Sequence, residues 1–301
     1  LKSPIVSALV TVYNRAQILR ETVCSLQESS FSDVEIILVD DCSKDTSWAL
    51  CQSLEASGSS VRAFRNDNNL GDYANRNRAA SLAQGKYLKY LDADDLIYPH
   101  SLKVMVDAME NFPDAALALS ANVIDPEIPY PEKIDSPEFF RRHFFGRSPI
   151  GVGPSAAIIR RECFEAVGGF SGRQFVGDTE LWLKLAERWP IVLLPPALVW
   201  WRKHEGQQMS LEMKKPEVLN VRYQLNADTL RHTRHLDANY KFKAERRLRQ
   251  NHARLLLSVA FRQKRPLTAL RLARNSGLDL ISFLRALGGY STFNYDTATH
   301  P

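Results

Sequence analysis

Residues 87–95 read Tyr-Leu-Lys-Tyr-Leu-Asp-Ala-Asp-Asp, a short apolar run that ends on three carboxylates within four positions. Tyr87–Leu91 predicts a strand, and Asp92, Asp94 and Asp95 sit just past its end. Like charges so close repel one another unless a cation or hydrogen bonds compensate. An oxygen-only donor set of this kind suits Mg2+ or Mn2+. The plain alternative is a solvated turn with capping aspartates.

Working outward, the same pattern recurs. Ile5–Val12 (IVSALVTV) is a continuous apolar run that stops at Tyr13-Asn14, and Val34–Val39 (VEIILV) stops at Asp40-Asp41. Both read as strands buried on both faces. Ile18, Leu19, Thr22, Val23 and Leu26 recur at helical spacing between them. Asp45 can cap a helix through Trp48, Cys51 and Leu54. Val61–Arg65 reads as a third strand. Residues 73–83 read as a helix stopped by Gly85, and another helix runs from about Pro99 to Asn111. This alternation predicts an α/β fold with a mostly parallel sheet flanked by helices. Ligands of such sheets bind beyond the carboxyl ends of the strands. Tyr13, Asp41 and Asp94 would therefore converge on one rim.

Further on, residues 125–150 are rich in proline and aromatics and read as a loop with a short helix over the site. Ala156–Arg160 predicts a strand, Arg161–Val167 a short helix, and Thr179–Arg188 a helix with Trp182 on its apolar face. Ile191–Leu194 and Leu198–Arg202 read as strands, so at most one of Trp200 and Trp201 should face the core. From about Pro216 to Leu287 the pattern is helical.

The chain has 301 residues with 45% hydrophobic and 24% charged, enough to build a sizeable core. No run of about 20 apolar residues would span a bilayer. The N-terminus shows no basic-then-apolar leader pattern. Four cysteines at 24, 42, 51 and 163 form no CxxC pair. A reducing cytoplasm is the expected location. No GxGxxG accompanies Gly71, and no GxxxxGK[ST] is present, which argues against dinucleotide-binding and P-loop enzymes. His232 and His235 form an HxxH that reads as part of a basic helix face.

These stretches together resemble the family 2 glycosyltransferases with the GT-A fold. The resemblance covers residues 4–210 and rests on PIVSALVTVYNRA, VEIILVDDCSKDT, NNLGDYANRNRAASLAQGKYLKYLDADD, IRRECFEAVGGF with GDTELWLKLAE, and WRKHEGQQMS, in that order. Five ordered matches are specific where one alone would be weak. The resemblance implies roles residue by residue. Thr11 and Tyr13 would flank the nucleobase, and Asp41 would contact it. Arg76 would lie near the nucleotide. Asp92 and Asp94 match the DxD pair, with Asp94 the direct metal ligand. Asp178 matches the catalytic base. Arg202 and His204 match a segment that closes over the diphosphate, His204 reaching the metal. The chain departs from the family pattern at Thr11 (usually Pro), Cys42 (usually Gly) and Gly177 (often Glu).

The implied activity is inverting, metal-dependent transfer of a sugar from a nucleoside-diphosphate sugar to a glycan or lipid-linked hydroxyl, in surface polysaccharide synthesis. UDP is the expected nucleotide, and Mn2+ or Mg2+ the expected cofactor. Transfer of this kind develops charge on the leaving phosphate, which a cation stabilises, and needs a base for the acceptor hydroxyl. The alternatives are a non-catalytic sugar-nucleotide or glycan-binding module on the same fold and, more weakly, a nucleotidyltransferase.

Charge divides the chain. Residues 1–211 hold 22 basic and 27 acidic residues, and residues 212–301 hold 17 and 7. The expected organisation is a catalytic domain over 1–211, with a nucleotide-binding half to about 120 and an acceptor half after it, and a basic helical extension over 212–301. Residues 236–265 place Leu236, Leu248, Leu255–Leu257 and Val259 among many cations. That segment could lie peripherally on the inner face of an anionic membrane, pack on the catalytic body, or pack on a second subunit in an oligomer. Nucleic acid is not expected, because no RNA or DNA module accompanies the charge.

Overall fold

The computed structural model describes residues 3–58, 60–121, 129–203 and 215–287. The chain divides into two compact units that interleave in sequence. The first comprises Leu1–Ser136, Ile150–Gly172 and Gly177–Arg202; the second comprises Pro137–Pro149, Arg173–Val176 and Lys203–Pro301.

The first unit is an α/β layer structure. Strands β1 (Val6–Val12), β2 (Val34–Asp40), β3 (Val61–Arg65) and β4 (Tyr87–Tyr90) alternate with helices α1 (Leu19–Gln27), α2 (Ser47–Ser57) and α3 (Asp72–Ser81). After β4 come β5 (Leu96–Ile97), α4 (Ser101–Asn111), β6 (Leu117–Ser120), β7 (Glu132–Ile134), α5 (Ser136–Phe145), β8 (Ala157–Arg160), α6 (Arg161–Ala166), α7 (Gly177–Ala186), β9 (Ile191–Leu194) and β10 (Val199–Trp200). The main sheet runs β3-β2-β1-β4-β8-β6-β9-β7, and β10 pairs with β5 in a small second sheet.

β1 is parallel to both β2 and β4, so six of its seven residues are buried. Its continuous apolar sequence follows from that interior position. The registers Val12↔Asp40 and Leu9↔Tyr90 bring the carboxyl ends of the three strands to one rim. The remaining half of the sheet is mixed: β8 is antiparallel to β4 and β6, and β7 is antiparallel to β9. The mostly parallel sheet expected from the alternation is present over β1–β4, and the antiparallel pairs fall beyond α4, where the alternation ends.

Some expected boundaries shift. Asp45 Oδ1 accepts the Ser47 amide at 2.9 Å, one residue ahead of the helix cap, so it organises the turn into α2 without being its cap. The strand expected over Leu198–Arg202 is only two residues long. Trp200 and Trp201 are both exposed, in keeping with the expectation that at most one faces the core. Trp182 is fully buried, and its indole N–H donates to the Val152 carbonyl at 3.1 Å.

The second unit is helical: α5 beyond Ser136, then α8 (Glu217–His232), α9 (Ala238–Phe261), α10 (Pro266–Asn275) and α11 (Leu280–Leu287). Asp237 caps α9 by accepting the Tyr240 amide at 2.8 Å. Leu236, Leu248, Leu256 and Val259 are buried, so of the placements open to residues 236–265 these side chains take a packed one, in the core of this unit, and form no membrane-facing stripe. His235 stacks on Phe140, and His232 bonds the Asp228 carbonyl through Nδ1, so the HxxH pair is not drawn together on a metal. No helix among the described residues is long and apolar enough to cross a membrane.

Candidate active site

The rim past β1, β2 and β4 collects the candidate residues of the first unit. The carboxylates of Asp92, Asp94 and Asp95 can each present an oxygen within 4.8 Å of the others. The turn that creates this cluster is tight, with the Asp95 amide bonded back to the Asp92 carbonyl at 2.9 Å.

Three arginines bracket the cluster, two of them paired with its carboxylates. Arg76 bridges Asp92 (2.7 Å) and Asp72 (2.9 Å). Arg15 Nε meets Asp94 Oδ2 at 3.3 Å. Arg202 donates from Nε to the Asp94 carbonyl at 2.9 Å, from its amide to Asp95 Oδ1 at 3.2 Å, and from Nη2 to Glu21 at 2.6 Å, while its guanidinium lies over the Trp200 ring. Burial disfavours the Arg76 cation, yet Asp72 and Asp92 outweigh it and hold the group charged. Its Nη1 is buried and has no hydrogen-bond partner among the described residues. A buried cationic donor left unsatisfied is costly in a closed core and is expected where an anionic ligand binds.

Asp95 lies deeper than its neighbours. Burial, reinforced by the Asp92 and Asp94 charges, pushes its carboxyl up to about 7. Beneath the cluster, Lys89 is fully buried and donates to the Tyr90 and Ser155 carbonyls. Burial pulls its ammonium down to about 7, against the upward pull of Asp95 and Asp92. Ser155 Oγ accepts the Asp92 amide at 3.0 Å, so Lys89 and Ser155 together brace the acidic turn.

Asp41 is buried and shapes the neighbouring loop. Its Oδ1 accepts from Asn66 Nδ2 and the Leu70 amide, and its Oδ2 accepts from the Gly71 amide, all within 2.9 Å. An ionised carboxylate has about four acceptor positions, so one remains at Oδ2. Thr11 is at the end of β1, and Tyr13 follows it with its side chain exposed. Asn14 (φ 54°) and Cys42 (φ 59°) both adopt the left-handed region, and Asn14 Oδ1 accepts the Lys44 amide, which ties the two strand-end turns together. Cys42 thus holds a backbone shape that favours glycine.

Asp178 is in the first turn of α7, where the sequence suggested a position just ahead of the helix. Its Oδ1 accepts the Thr179 amide at 2.7 Å. Burial pushes its carboxyl up; the Thr179 amide and the Arg76 charge pull it down, and Asp72 adds to the rise. The helix N-terminus therefore does not by itself fix the ionised form here, since desolvation is the largest influence. Gly177 precedes it without a left-handed φ. A Cβ on Gly177 would lie 2.5 Å from the Tyr73 ring, whose hydroxyl accepts the Gly177 amide at 3.0 Å. Close approach, and not a sharp turn, is what requires glycine. Glu180, on the same helix, is engaged by Ser171 and Lys184.

The structure thus brings Asp92, Asp94, Arg76 and Arg202 into one bonded network, with Asp178 in the electrostatic field of Arg76. His204 lies outside the described residues. Arg15, Lys89, Ser155 and Tyr73 were missed from sequence. Arg15 had a signal, a cation directly after the strand-end Tyr13-Asn14. Ser155 had none, because it reaches the site from a segment 63 residues away.

A mixed α/β sheet with an acidic, arginine-bracketed turn at the end of a central strand fits the GT-A-type glycosyltransferase that the sequence resembles. The family described as "Glycosyl transferase family 2" matches residues 7–168, more than half of the chain, and the chain belongs to that family. The glycosyltransferase GlyG of Streptococcus pneumoniae serotype 4 is 24% identical over 226 residues, spanning 70% of this chain and 74% of that protein. Other curated relatives are matched over 24–62% of their own length. Among solved structures, S. aureus TarS 1-349 in complex with UDP-GlcNAc shares the fold with a TM-score of 0.65 and 18% identity, covering 94% of this chain and 79% of that one. The mannosyltransferase PcManGT from Pyrobaculum calidifontis, in complex with GDP-Man and Mn2+, gives a TM-score of 0.62 and 19% identity over 95% and 80% of the two chains.

Proposed function

We propose that this glycosyltransferase is inverting and cation-dependent, and moves a sugar from a UDP-linked donor to a hydroxyl of a glycan or lipid-linked acceptor in surface polysaccharide synthesis. The observation that carries the reading is the Asp92-Asp94-Asp95 cluster bracketed by Arg15, Arg76 and Arg202, with a buried Arg76 nitrogen left unsatisfied. Oxygen-only donors with surplus negative charge fit Mn2+ or Mg2+. Asp94 and Asp92 would hold that ion, which when bound supplies Lewis-acid stabilisation of the leaving diphosphate. His204 is proposed as a further ligand.

The chain's own groups supply the rest. Arg76 and Arg202 offer guanidinium donors to phosphate oxygens, a planar fork suited to that geometry. Tyr13 and Thr11 flank the base, and the remaining acceptor position of Asp41 takes a base N–H. Asp178 accepts the proton of the acceptor hydroxyl as its oxygen bonds to the anomeric carbon and the bond to the diphosphate oxygen breaks. One displacement with one base inverts the configuration. A double displacement needs a second carboxylate poised as nucleophile, and Glu180 is engaged elsewhere.

The test is Asp178→Asn in a donor-turnover assay with Mn2+. Asn keeps the side-chain oxygen that accepts the Thr179 amide and loses the proton acceptor. Turnover should fall by about 10²–10⁴-fold with donor affinity unchanged. Turnover within about threefold of wild type would remove the base assignment. Donor binding without turnover in the wild-type protein would instead favour a binding module.

A further inference from the structure

The helical unit carries a surface that its own core leaves uncovered. α10 buries Ala269, Leu272 and Ala273, and α11 buries Ser282 and Ala286. Leu272 and Ala273 pack on Leu256 of α9, with Phe283 of α11 against the same cluster. Arg249 and Arg254 of α9 bond Gly277 and Ala286, fixing α11 along α9. Both short helices therefore turn one face to α9 and the opposite face outward.

Those outward faces are apolar where a soluble surface would be polar. Leu267 is 81% exposed and Leu270 69%, one turn apart on α10; Ile281 and Leu284 are more than half exposed, one turn apart on α11; Phe261, the last residue of α9, is 76% exposed. Five large apolar side chains on three consecutive helices are more than the scattered single exposures of an ordinary surface.

The charge on the stretch from Phe261 through α10 has one sign. Phe261–Asn275 holds Arg262, Lys264, Arg265, Arg271 and Arg274 and no acidic residue. Arg271 pairs with Glu217 at 2.7 Å. Arg262, Lys264, Arg265 and Arg274 have no ion pair among the described residues. Along α10, Leu267, Leu270, Arg271 and Arg274 follow the i, i+3, i+4, i+7 spacing of a single face. Apolar side chains interleaved with cations match a lipid interface, where the former enter the acyl boundary and the latter meet anionic headgroups.

We propose that Phe261 with the outer face of α10 forms a membrane-surface docking site for anionic phospholipid. The site shares Phe261, Arg262, Lys264 and Arg265 with the 236–265 segment suggested by sequence, but not that segment's leucines, which are largely buried. It stands independently of the catalytic reading, because its test does not involve turnover.

The test is sedimentation of the full chain with vesicles of phosphatidylcholine containing phosphatidylglycerol as about a third of the lipid, against phosphatidylcholine alone. The protein should pellet with the anionic vesicles and remain in solution with the neutral ones. Leu267→Gln/Leu270→Gln should weaken binding at least about tenfold. Arg262→Gln/Lys264→Gln/Arg265→Gln should weaken it to a similar extent and remove most of its salt dependence. All five positions are exposed, so thermal melts should match wild type, and the two variants probe separate parts of the site. Wild-type protein that stays in solution with anionic vesicles overturns the proposal. So does wild-type vesicle affinity in both variants. A dimer in analytical ultracentrifugation that Leu267→Gln/Leu270→Gln dissociates, without vesicle binding, would assign the face to a second copy of the chain. Binding that appears only after removal of residues 288–301 would assign it to that segment.

Discussion

Cys42 and Gly177 are two positions where the family pattern and this sequence differ, and the structure separates their causes. Cys42 holds a left-handed φ of 59° in the turn after β2. An L-residue there is disfavoured by roughly 1–2 kcal/mol, part of which glycine returns as entropy in the unfolded chain. Cys42→Gly should therefore raise stability by about 1 kcal/mol in urea denaturation, even with loss of the long 3.7 Å contact from its thiol to the Asp67 carbonyl. A lower denaturation midpoint would show that the thiol contact outweighs the strain. At Gly177 the constraint is the Tyr73 ring, 2.5 Å from where a Cβ would sit. Gly177→Ala should cost about 1–3 kcal/mol through overpacking. It should also lower turnover by moving Asp178, with donor affinity kept; unchanged stability would mean the ring shifts freely. The raised carboxyl of Asp178 has a kinetic consequence as well. If it is the base, the acid limb of kcat should lie above the ordinary carboxylate value of 3.8 and disappear in Asp178→Asn.

At the scale of elements, the legible parts were those whose sequence pattern is local. β1, β2 and β4 are interior strands with both faces buried, so their apolar runs and acidic ends could be read directly. β6 (Leu117–Ser120) and β7 (Glu132–Ile134) are short and ordinary in composition, and long-range pairing alone makes them strands. The antiparallel course of β8 is likewise set by partners at Tyr87 and Leu119, far off in sequence. Asp92 and Asp94 were legible as a cluster, whereas Lys89 looked like one polar residue in an apolar strand. The helical unit holds a further pattern invisible to sequence, two buried histidines. His143 Nε2 is 2.6 Å from Asn226 Oδ1, and His252 Nε2 is 3.0 Å from Asn220 Oδ1 with its ring stacked on Tyr223. Burial pulls both imidazoles from 6.5 down to about 4. The folded state thus keeps them neutral while the unfolded chain takes up protons first. Stability they contribute is complete above pH 6.5 and is lost as pH falls towards 4, by at most about 3 kcal/mol each. Urea denaturation between pH 7.5 and 5 should show this loss, and His143→Gln/His252→Gln should reduce the slope. The difference between the two proteins isolates the histidines from Asp95, whose carboxyl, raised to about 7, titrates in the opposite sense. Equal slopes would mean the imidazoles are hydrated in solution.

At the scale of the whole molecule, the switch from acidic to basic sequence suggests a linear cut near residue 211, but the compact units interleave. α5 lies in sequence between β7 and β8 of the sheet, yet Pro137–Pro149 groups with the C-terminal helices. Phe140 stacks on His235 with centroids 5.7 Å apart, Phe145 meets the Tyr240 ring edge, and Arg247 donates to the Phe145 carbonyl at 3.2 Å. Phe139, Phe140 and Phe144 are buried. Each buried phenylalanine is worth about 1.5–3 kcal/mol of apolar burial, and the helices from residue 217 onward supply part of that cover. A chain ending at residue 202 would retain α5 and lose its partners. It should therefore aggregate, as measured by light scattering, and supplying residues 203–301 as a separate chain should restore part of its solubility. This outcome is distinct from loss of membrane docking, because α5 faces the core of the helical unit and Leu267 and Leu270 face outward. A soluble monomer of residues 1–202 with wild-type donor binding would show that α5 rearranges to bury its own phenylalanines, and the C-terminal helices would then be an independent module and not a structural cover.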